Sequence, residues 1–331
     1  MAQESPPRLR VVLGAILVAL CAVFPAAGAT IVDLGTLFGL GSSPVMADGV
    51  NNSGQVVVTT TGPNGPVDAY LYTPGSGVTD LGSATGLSSV QARAINDAGQ
   101  ILLNTYNSGV IADSYLYTPG SGLTDLGALT GLSAPFGIGI NDSGQMLFDR
   151  GNDAYLYTPG QGLTDLDSVT GLPEPLVAPG INNQGQILLF SNPAPPGTQD
   201  VQVYTPGSGL TDTGYHHPVG GITDAGEIVG NLPPSGPGVP DAILLNEGVV
   251  TDVNTLLPAD SGWDLQTGGG ISASGEFIVG QGLNPQGHQQ GYLLDTAPEP
   301  ASLALFAAGA LLVALMRKRF AALMQIERQR S

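Results

Sequence analysis

Ile95-Asn96-Asp97-Ala98-Gly99-Gln100-Ile101 decides the fold, because the chain writes this pattern six times. The pattern is an apolar residue, Asn-x-x-Gly-Gln, then another apolar residue. It recurs as Val50-Asn51-Asn52-Ser53-Gly54-Gln55-Val56, at Ile140–Met146 and at Ile181–Ile187. Looser copies run Ile222–Ile228 and Ile271–Phe277. Successive Asn-equivalent positions 51, 96, 141, 182, 223 and 272 are 45, 45, 41, 41 and 49 residues apart. Asn or Asp opens a type I turn, and Gly three residues later is free to take positive φ and start a bulge. The apolar flanks on either side make a hairpin.

A second motif alternates with the first. It reads Ala-Tyr-Leu-Tyr-Thr-Pro-Gly-x-Gly-Leu-Thr-Asp-Leu-Gly, with copies starting at Ala69, Ser114, Ala154 and Val201 and a degenerate one at Ala242. Tyr70-Leu71-Tyr72 is β-prone, Pro74-Gly75 ends the run, and Val78–Leu81 begins the next strand. One unit thus predicts four short strands, such as 77–82, 90–96, 99–105 and 113–118. A period in the forties with four strands per unit is that of a β-propeller blade.

The expected fold is therefore all-β, a six-bladed β-propeller over residues 30–296. Thr30–Leu37 supplies only the Thr-Asp-Leu-Gly half of a unit, and Gly291–Asp295 only the Ala-Tyr-Leu-Tyr half. Together they complete one blade and hide edges that an open array would expose. An open β-solenoid needs capping segments, and none is visible. Composition agrees: 49 Gly, 26 Pro and 11% charged residues disfavour surface helices, while 42% hydrophobic residues provide a core.

The two ends read as addresses. Arg8 and Arg10 precede the apolar run Val11–Phe24, and Ala27-Gly28-Ala29 offers small residues for cleavage between Ala29 and Thr30. Residues 1–29 are an expected secretory signal peptide. The single cysteine, Cys21, lies within that run and would be lost, so no disulfide supports the remaining chain. Residues 297–331 begin with Pro298-Glu299-Pro300, continue through an apolar stretch 301–316 and reach Arg317-Lys318-Arg319. Sixteen apolar residues are near the lower limit for a transmembrane helix, and the basic cluster would hold its inner end in the cytoplasm. Such a run alone also reads as a permanent anchor.

Motif, apolar run and basic cluster, in that order, resemble the PEP-CTERM sorting signal. The resemblance implies recognition by an exosortase-like enzyme and cutting near Pro298-Glu299-Pro300. In this chain Phe320–Ser331 continue past the basic cluster, where family members usually stop. The repeats resemble the HAF family of extracellular repeat proteins. The matching pieces are Gly-Ile-Asn-x-x-Gly-Gln and Asp33–Leu37. The His-Ala-Phe position reads Asp68-Ala69-Tyr70, Ser114-Tyr115, Asp153-Ala154-Tyr155 and Asp241-Ala242-Ile243, so its histidine is absent throughout. The family implies no defined activity.

Charge restricts the partners. Of 27 acidic residues only Glu4 and Glu327 lie outside 30–300, whereas only Arg93 and Arg150 of the 9 basic residues lie inside. Nucleic acid and anionic lipid are disfavoured, since binding them relies on cation–phosphate contacts. A neutral or cationic polysaccharide, or a protein, fits better.

Catalytic patterns are sparse. The residues from 30 onward to the tail hold three histidines, His216, His217 and His288, with no Gly-x-Ser-x-Gly elbow and no zinc spacing. Asn96-Asp97 and Asn141-Asp142 offer oxygens to calcium, but one Asp each is fewer than a calcium loop uses. Asp80, Asp125, Asp165 and Asp212 recur with the repeat and read as turn residues. The repeat breaks in 213–220, 231–241 and 258–270, and the last holds Trp263, the only tryptophan. A tryptophan in a Gly-rich loop can stack on a sugar ring. The expected function is a non-catalytic secreted surface or matrix protein that binds polysaccharide or a protein partner, with no cofactor. The alternative is a propeller-type glycan hydrolase or lyase with an acidic site on one face.

Overall fold

The computed structural model describes residues 29–39, 44–62, 65–191, 200–233 and 240–297. Cleavage segment 1–28, Pro298-Glu299-Pro300, the stretch 301–316 and Arg317-Lys318-Arg319 lie outside the described residues.

Residues Thr30–Thr296 form one compact unit of six four-stranded antiparallel sheets. Blade I comprises β2 (Val45–Val50), β3 (Val56–Gly62), β4 (Gly65–Thr73) and β5 (Gly77–Asp80). Blade II comprises β6 (Val90–Ile95), β7 (Ile101–Asn107), β8 (Val110–Thr118) and β9 (Gly122–Asp125). Blade III holds β10 (Phe136–Ile140), β11 (Met146–Arg150), β12 (Asp153–Thr158) and β13 (Gly162–Asp165). Blade IV holds β14 (Leu176–Ile181), β15 (Ile187–Ser191), β16 (Val201–Thr205) and β17 (Gly209–Tyr215). Blade V holds β18 (Val219–Ile222), β19 (Ile228–Leu232), β20 (Asp241–Asn246) and β21 (Val249–Asp252). Blade VI is β22 (Asp264–Ile271), β23 (Phe277–Leu283), β24 (Gln289–Asp295) and, outermost, β1 (Thr30–Asp33).

The fold is an all-β six-bladed propeller closed by its first strand. Thr30 pairs with Asp295 and Asp33 with Tyr292. The two half-units of the sequence meet in one blade.

The turn motif works as its chemistry dictates. Gly99 N–H donates to Asn96 O at 3.0 Å, Asn96 N–H donates to Gln100 O at 3.1 Å, and Gly99 takes φ 74°. Each inner strand carries a bulge near its middle, for example between Ala47 and Gly49 and between Ala92 and Ala94. A bulge places one extra residue and re-aims its side chain.

The recurring Asp residues do more than turn the chain. Asp80 accepts the Ser83 amide at 2.8 Å and caps a one-turn helix, α2 (Leu81–Thr85), which Gly86 closes in left-handed conformation. Asp33, Asp125 and Asp165 cap α1 (Leu34–Leu37), α3 (Leu126–Thr130) and α4 (Leu166–Thr170). Asp252 caps a 3₁₀ turn, Val253–Leu256, while Asp212 accepts the Gly214 amide in an Asx turn. The expectation of a strand over 77–82 is corrected at Leu81. A side-chain acceptor three residues before a free amide starts a helical turn even in a helix-poor chain. The next residue plugs the gap between blades: Leu34, Leu81, Leu126, Leu166 and Val253 are fully buried.

Antiparallel order gives the propeller two faces. The short helices and the entries to the inner strands share one, the helix face. The Asn-x-x-Gly turns share the other, the turn face.

Candidate functional site: the axial channel and its two mouths

At the turn face the first motif builds a ring. Asn51 Nδ2 donates to Asn96 O, Asn96 to Asn141 O, Asn141 to Asn182 O and Asn182 to Thr223 O, at 2.9–3.2 Å. All four asparagines are buried. The next residue repeats the device outside it. Asn52 N–H donates to Asp97, Asp97 N–H to Asp142, Asp142 N–H to Asn183 and Asn183 N–H to Asp224, at 2.7–2.8 Å. Asp224 N–H donates to Ala273 O at 2.9 Å, and Ser274 N–H returns to Asn52 Oδ1 at 2.8 Å. The circle is closed from blade I to blade VI and back.

Asp97 and Asp142, read above as calcium candidates, are thus engaged with the backbone of neighbouring blades. Among the described residues no group of three or more His, Cys, Asp or Glu is placed to hold a metal ion. Replacing Asn96 with alanine should leave the Gln100 amide and Gln100 Oε1 without their Asn96 partners and remove the bond to Asn141 O, which keeps only the Gly144 amide. At about 1–3 kcal/mol for each unmade buried bond, the expected loss is about 2–4 kcal/mol in urea unfolding. Asp97→Ala, on the exposed ring, should cost less than about 1 kcal/mol.

Beneath the ring, Val50, Ile95, Ile140, Ile181, Ile222 and Ile271, one from each blade, line the channel. Close approach of the inner strands demands small residues behind them. A Cβ on Gly180 would lie 3.2 Å from Gly221 Cα, and one on Gly270 would lie 3.2 Å from Asp48 O.

Toward the helix face the six-fold likeness ends. The bulged position is Asp48, Arg93, Ile138, Pro179, Gly220 and Gly269 in blades I to VI. Arg93 Nη1 meets Asp48 Oδ1 at 3.1 Å. Burial raises the Asp48 carboxyl above its usual range, and Arg93, Thr59 and Gln91 oppose that shift. Tyr106 Oη donates to buried Gln91 Oε1 at 2.8 Å. Arg93 is one of two cations between residues 30 and 300, and no motif assigns it this role. An arginine inside the apolar strand Val90–Ile95 was the available signal.

A second shielded carboxylate is Asp149 on β11, which faces the next blade and is absent from the channel lining. Its counterparts clasp the next blade: Asn104 Nδ2 donates to Gly137 O at 2.9 Å, and Asn231 Oδ1 accepts the Gly268 amide at 2.8 Å. Asp149 likewise accepts from the Ala178 amide, but its Oδ1 is buried without a hydrogen-bond partner. Burial pushes its pKa up to about 7, against the pull of Arg93 and the Ala178 amide and with a push from Asp167.

A carboxyl with a raised folded-state pKa favours the folded state at low pH. That contribution falls as pH rises from its ordinary value of 3.8 through about 7. Asp149→Asn removes the cost and keeps an acceptor for Ala178. It should raise Tm by about 2–6 °C at pH 8, equivalent to about 1–2 kcal/mol, and change it little at pH 4. A thermal melt at the two pH values checks this.

The channel is too narrow for a sugar ring. Its two cavities along the axis hold about 90 Å³ and about 70 Å³, against about 300 Å³ or more for small-molecule sites. It suits a few waters.

The other predicted residues lie elsewhere. Trp263 stands just before β22 at the helix face. Its ring meets that of fully buried Tyr292 edge-on, with centroids 6.3 Å apart, and it is half-buried. It is absent from the channel lining. His216 pairs with Asp200 at 2.8 Å in the open, and His217 lies edge-on to Tyr215, 5.4 Å between centroids. His288 lies in the 284–288 turn of blade VI, where its amide donates to Asn284 Oδ1 at 2.9 Å. Ala29 and Thr30 are at the turn face, where the described residues also end. Thr296 bonds Gly275 O and Glu276 O there.

Neither the family models nor the curated proteins gave a match to the sequence. Solved structures did. The gluconolactonase XC5397 from Xanthomonas campestris is 11% identical, over 83% of this chain and 93% of that one, with TM-score 0.49. Virginiamycin B lyase from Staphylococcus aureus is 12% identical over 81% and 99%, with TM-score 0.45. The β-propeller domain of the Trilobed protease from Pyrococcus furiosus is 11% identical over 78% and 95%, with TM-score 0.42. At such identities and scores no activity passes to this chain.

Proposed function

We propose that this chain is a secreted, non-catalytic surface or matrix protein whose propeller binds a polysaccharide or a protein partner. Its repeats are read as HAF-like and its tail as a PEP-CTERM signal for an exosortase-like enzyme. Residues 1–29 are read as a signal peptide, and 301–316 as a transient membrane helix before processing. Final localisation would be the cell surface or extracellular matrix.

One observation carries this reading furthest. Thr30 and Thr296, the ends of the propeller, both lie at the turn face of blade VI. A tether would be joined there, at the opposite end of the blades from the helix face. That face holds the irregular segments 216–218 and 258–263 and the Asp48–Arg93–Gln91–Tyr106 cluster. Most repeated polar side chains have structural tasks, which favours display over turnover.

The second reading is a glycan hydrolase or lyase. Asp48 and Asp149, two carboxyls from unlike repeats with raised pKa, favour it. The narrow channel between the blades weighs against it.

A glycan array with purified residues 30–297, followed by product analysis, tests both. Binding without turnover is expected, with neutral or cationic glycans ahead of anionic ones. Turnover abolished by Asp149→Asn would establish the second reading.

A further inference from the structure

The six gaps between blades are not filled alike. Where blades VI and I, I and II, II and III, and III and IV meet, a tyrosine from the third strand packs into the core of the gap. These are Tyr72, Tyr117, Tyr157 and Tyr204. Between blades IV and V the equivalent residue is Leu245, by register with Ile228. Facing it is Val203, where blades I to III have Leu71, Leu116 and Leu156.

The adjoining turn has changed too. Blades I to IV close the hairpin with Pro-Gly-x, as at Pro74–Ser76. Blade V uses the two-residue turn Glu247-Gly248, both with positive φ, which suits a tight hairpin. The proline is lost with it. A Cβ on Gly54, Gly99 or Gly144 would meet Pro74, Pro119 or Pro159 within 3.4–3.7 Å, whereas one on Gly226 would meet nothing within 4 Å. The outcome is an open cavity of about 380 Å³. This lies within the range of about 300–1,000 Å³ usual for small-molecule sites.

Its floor is aliphatic, from Val203, Ile228 and Leu245, and its rim is polar, from Thr211, Asp212 and Glu247. No cation lines it. Asp212 and Glu247 are exposed carboxylates, and Glu227 stands behind them, accepting from Asn246 Nδ2 at 2.7 Å. The missing group is a six-membered ring with one polar edge. The incoming group should therefore be a ring with an apolar face, polar edges and positive charge.

We propose that this gap binds an amino sugar carrying a free ammonium. Its ring takes the tyrosine's place, and its charge faces Asp212 and Glu247. The proposal rests on the carbohydrate reading above and names a site and ligand class for it.

The test uses calorimetry with the full processed chain and three probes. These are a glucosamine oligomer, its N-acetylated neutral counterpart and an oligolysine peptide. Leu245→Tyr should weaken the glucosamine oligomer at least tenfold, because four other gaps already accommodate that ring. Its melting temperature should be equal or higher, which excludes unfolding as the cause. Asp212→Asn with Glu247→Gln should weaken the same oligomer and make binding less salt-dependent. The neutral oligomer should bind weakly or not at all here.

Binding of the glucosamine oligomer unchanged in Leu245→Tyr would overturn the site and leave the broader carbohydrate reading standing. Equal binding of the neutral oligomer, lost in Leu245→Tyr, would overturn the charge assignment. Oligolysine binding with no sugar binding would overturn the ligand class in favour of a basic protein segment. No binding of any probe would overturn the proposal outright.

Discussion

Removal of Thr30–Leu37 should lower the melting temperature of the propeller by about 10–20 °C. The segment supplies β1, the outer strand of blade VI, paired over Thr30–Asp33 with β24. It also supplies Leu34, which is fully buried in the gap beside blade I with Val45, Val279 and Leu293. Burying a leucine contributes about 1.5–3 kcal/mol. β1 is an outer strand with no buried residue, so each of its ladder bonds contributes about 0.5–1.5 kcal/mol net. Asp33 additionally accepts from Asn284 Nδ2 at 2.9 Å, so the 284–288 turn loses its anchor. A total of about 5 kcal/mol or more is expected, at about 2–4 °C per kcal/mol for a domain near this size. Calorimetry of residues 30–296 against 38–296 checks it. Equal melting temperatures would mean that blade VI is complete without its first strand.

Gly280→Ala should be the most damaging single methyl group in the propeller. Gly280 lies in β23, where a Cβ would stand 1.8 Å from Thr267 O and 2.9 Å from Tyr292 Oη. Thr267 O is backbone and already accepts from Tyr292 Oη at 2.9 Å. Tyr292 is fully buried and cannot swing aside. The new methyl must part β22 from β23 or expel the phenol. Overpacking of this kind costs about 3 kcal/mol at the upper end of the usual range, so Tm should fall by about 6–12 °C. Gly139→Ala is the matched control. Its Cβ would come no nearer than 3.4 Å to any atom, meeting Ile181 Cγ2 at 3.4 Å, Leu147 Cδ1 at 3.6 Å and Ile181 N at 3.9 Å, and blade II already carries Ala94 at that place. A change below about 1 kcal/mol is expected there. Equal effects of the two would refute the packing argument.

Much of the fold was legible because its signals are local and repeated. Asn96 and Gly99 set a turn by their own chemistry, and Tyr70-Leu71-Tyr72 sets a strand. Expected strands 90–96, 99–105 and 113–118 became Val90–Ile95, Ile101–Asn107 and Val110–Thr118. The closing blade was legible because each end of the body carried a different half of one unit.

The rest depends on contacts that one unit cannot display. Asp80 reads as a turn residue, since five residues are too few to show helical periodicity. The bulge that turns Arg93 into the channel adds one residue without any mark in the sequence. Asn96 was recognised as a turn former, yet its bond to Asn141 O joins residues 45 apart. Trp263 read as an open loop residue, but Tyr292, against which it packs, lies in a degenerate repeat. The gap at Leu245 became visible only once the register placed it opposite Ile228, in line with Tyr72.

The proposed function requires that the propeller be exported, trimmed at both ends and displayed. The most direct measurement is the intact mass of the surface-exposed protein from the cells that make it. A chain that begins at Thr30 and ends near Pro300 is expected. A surface form that still carries Arg317–Ser331 would contradict it and leave a simple membrane anchor in place of a sorting signal.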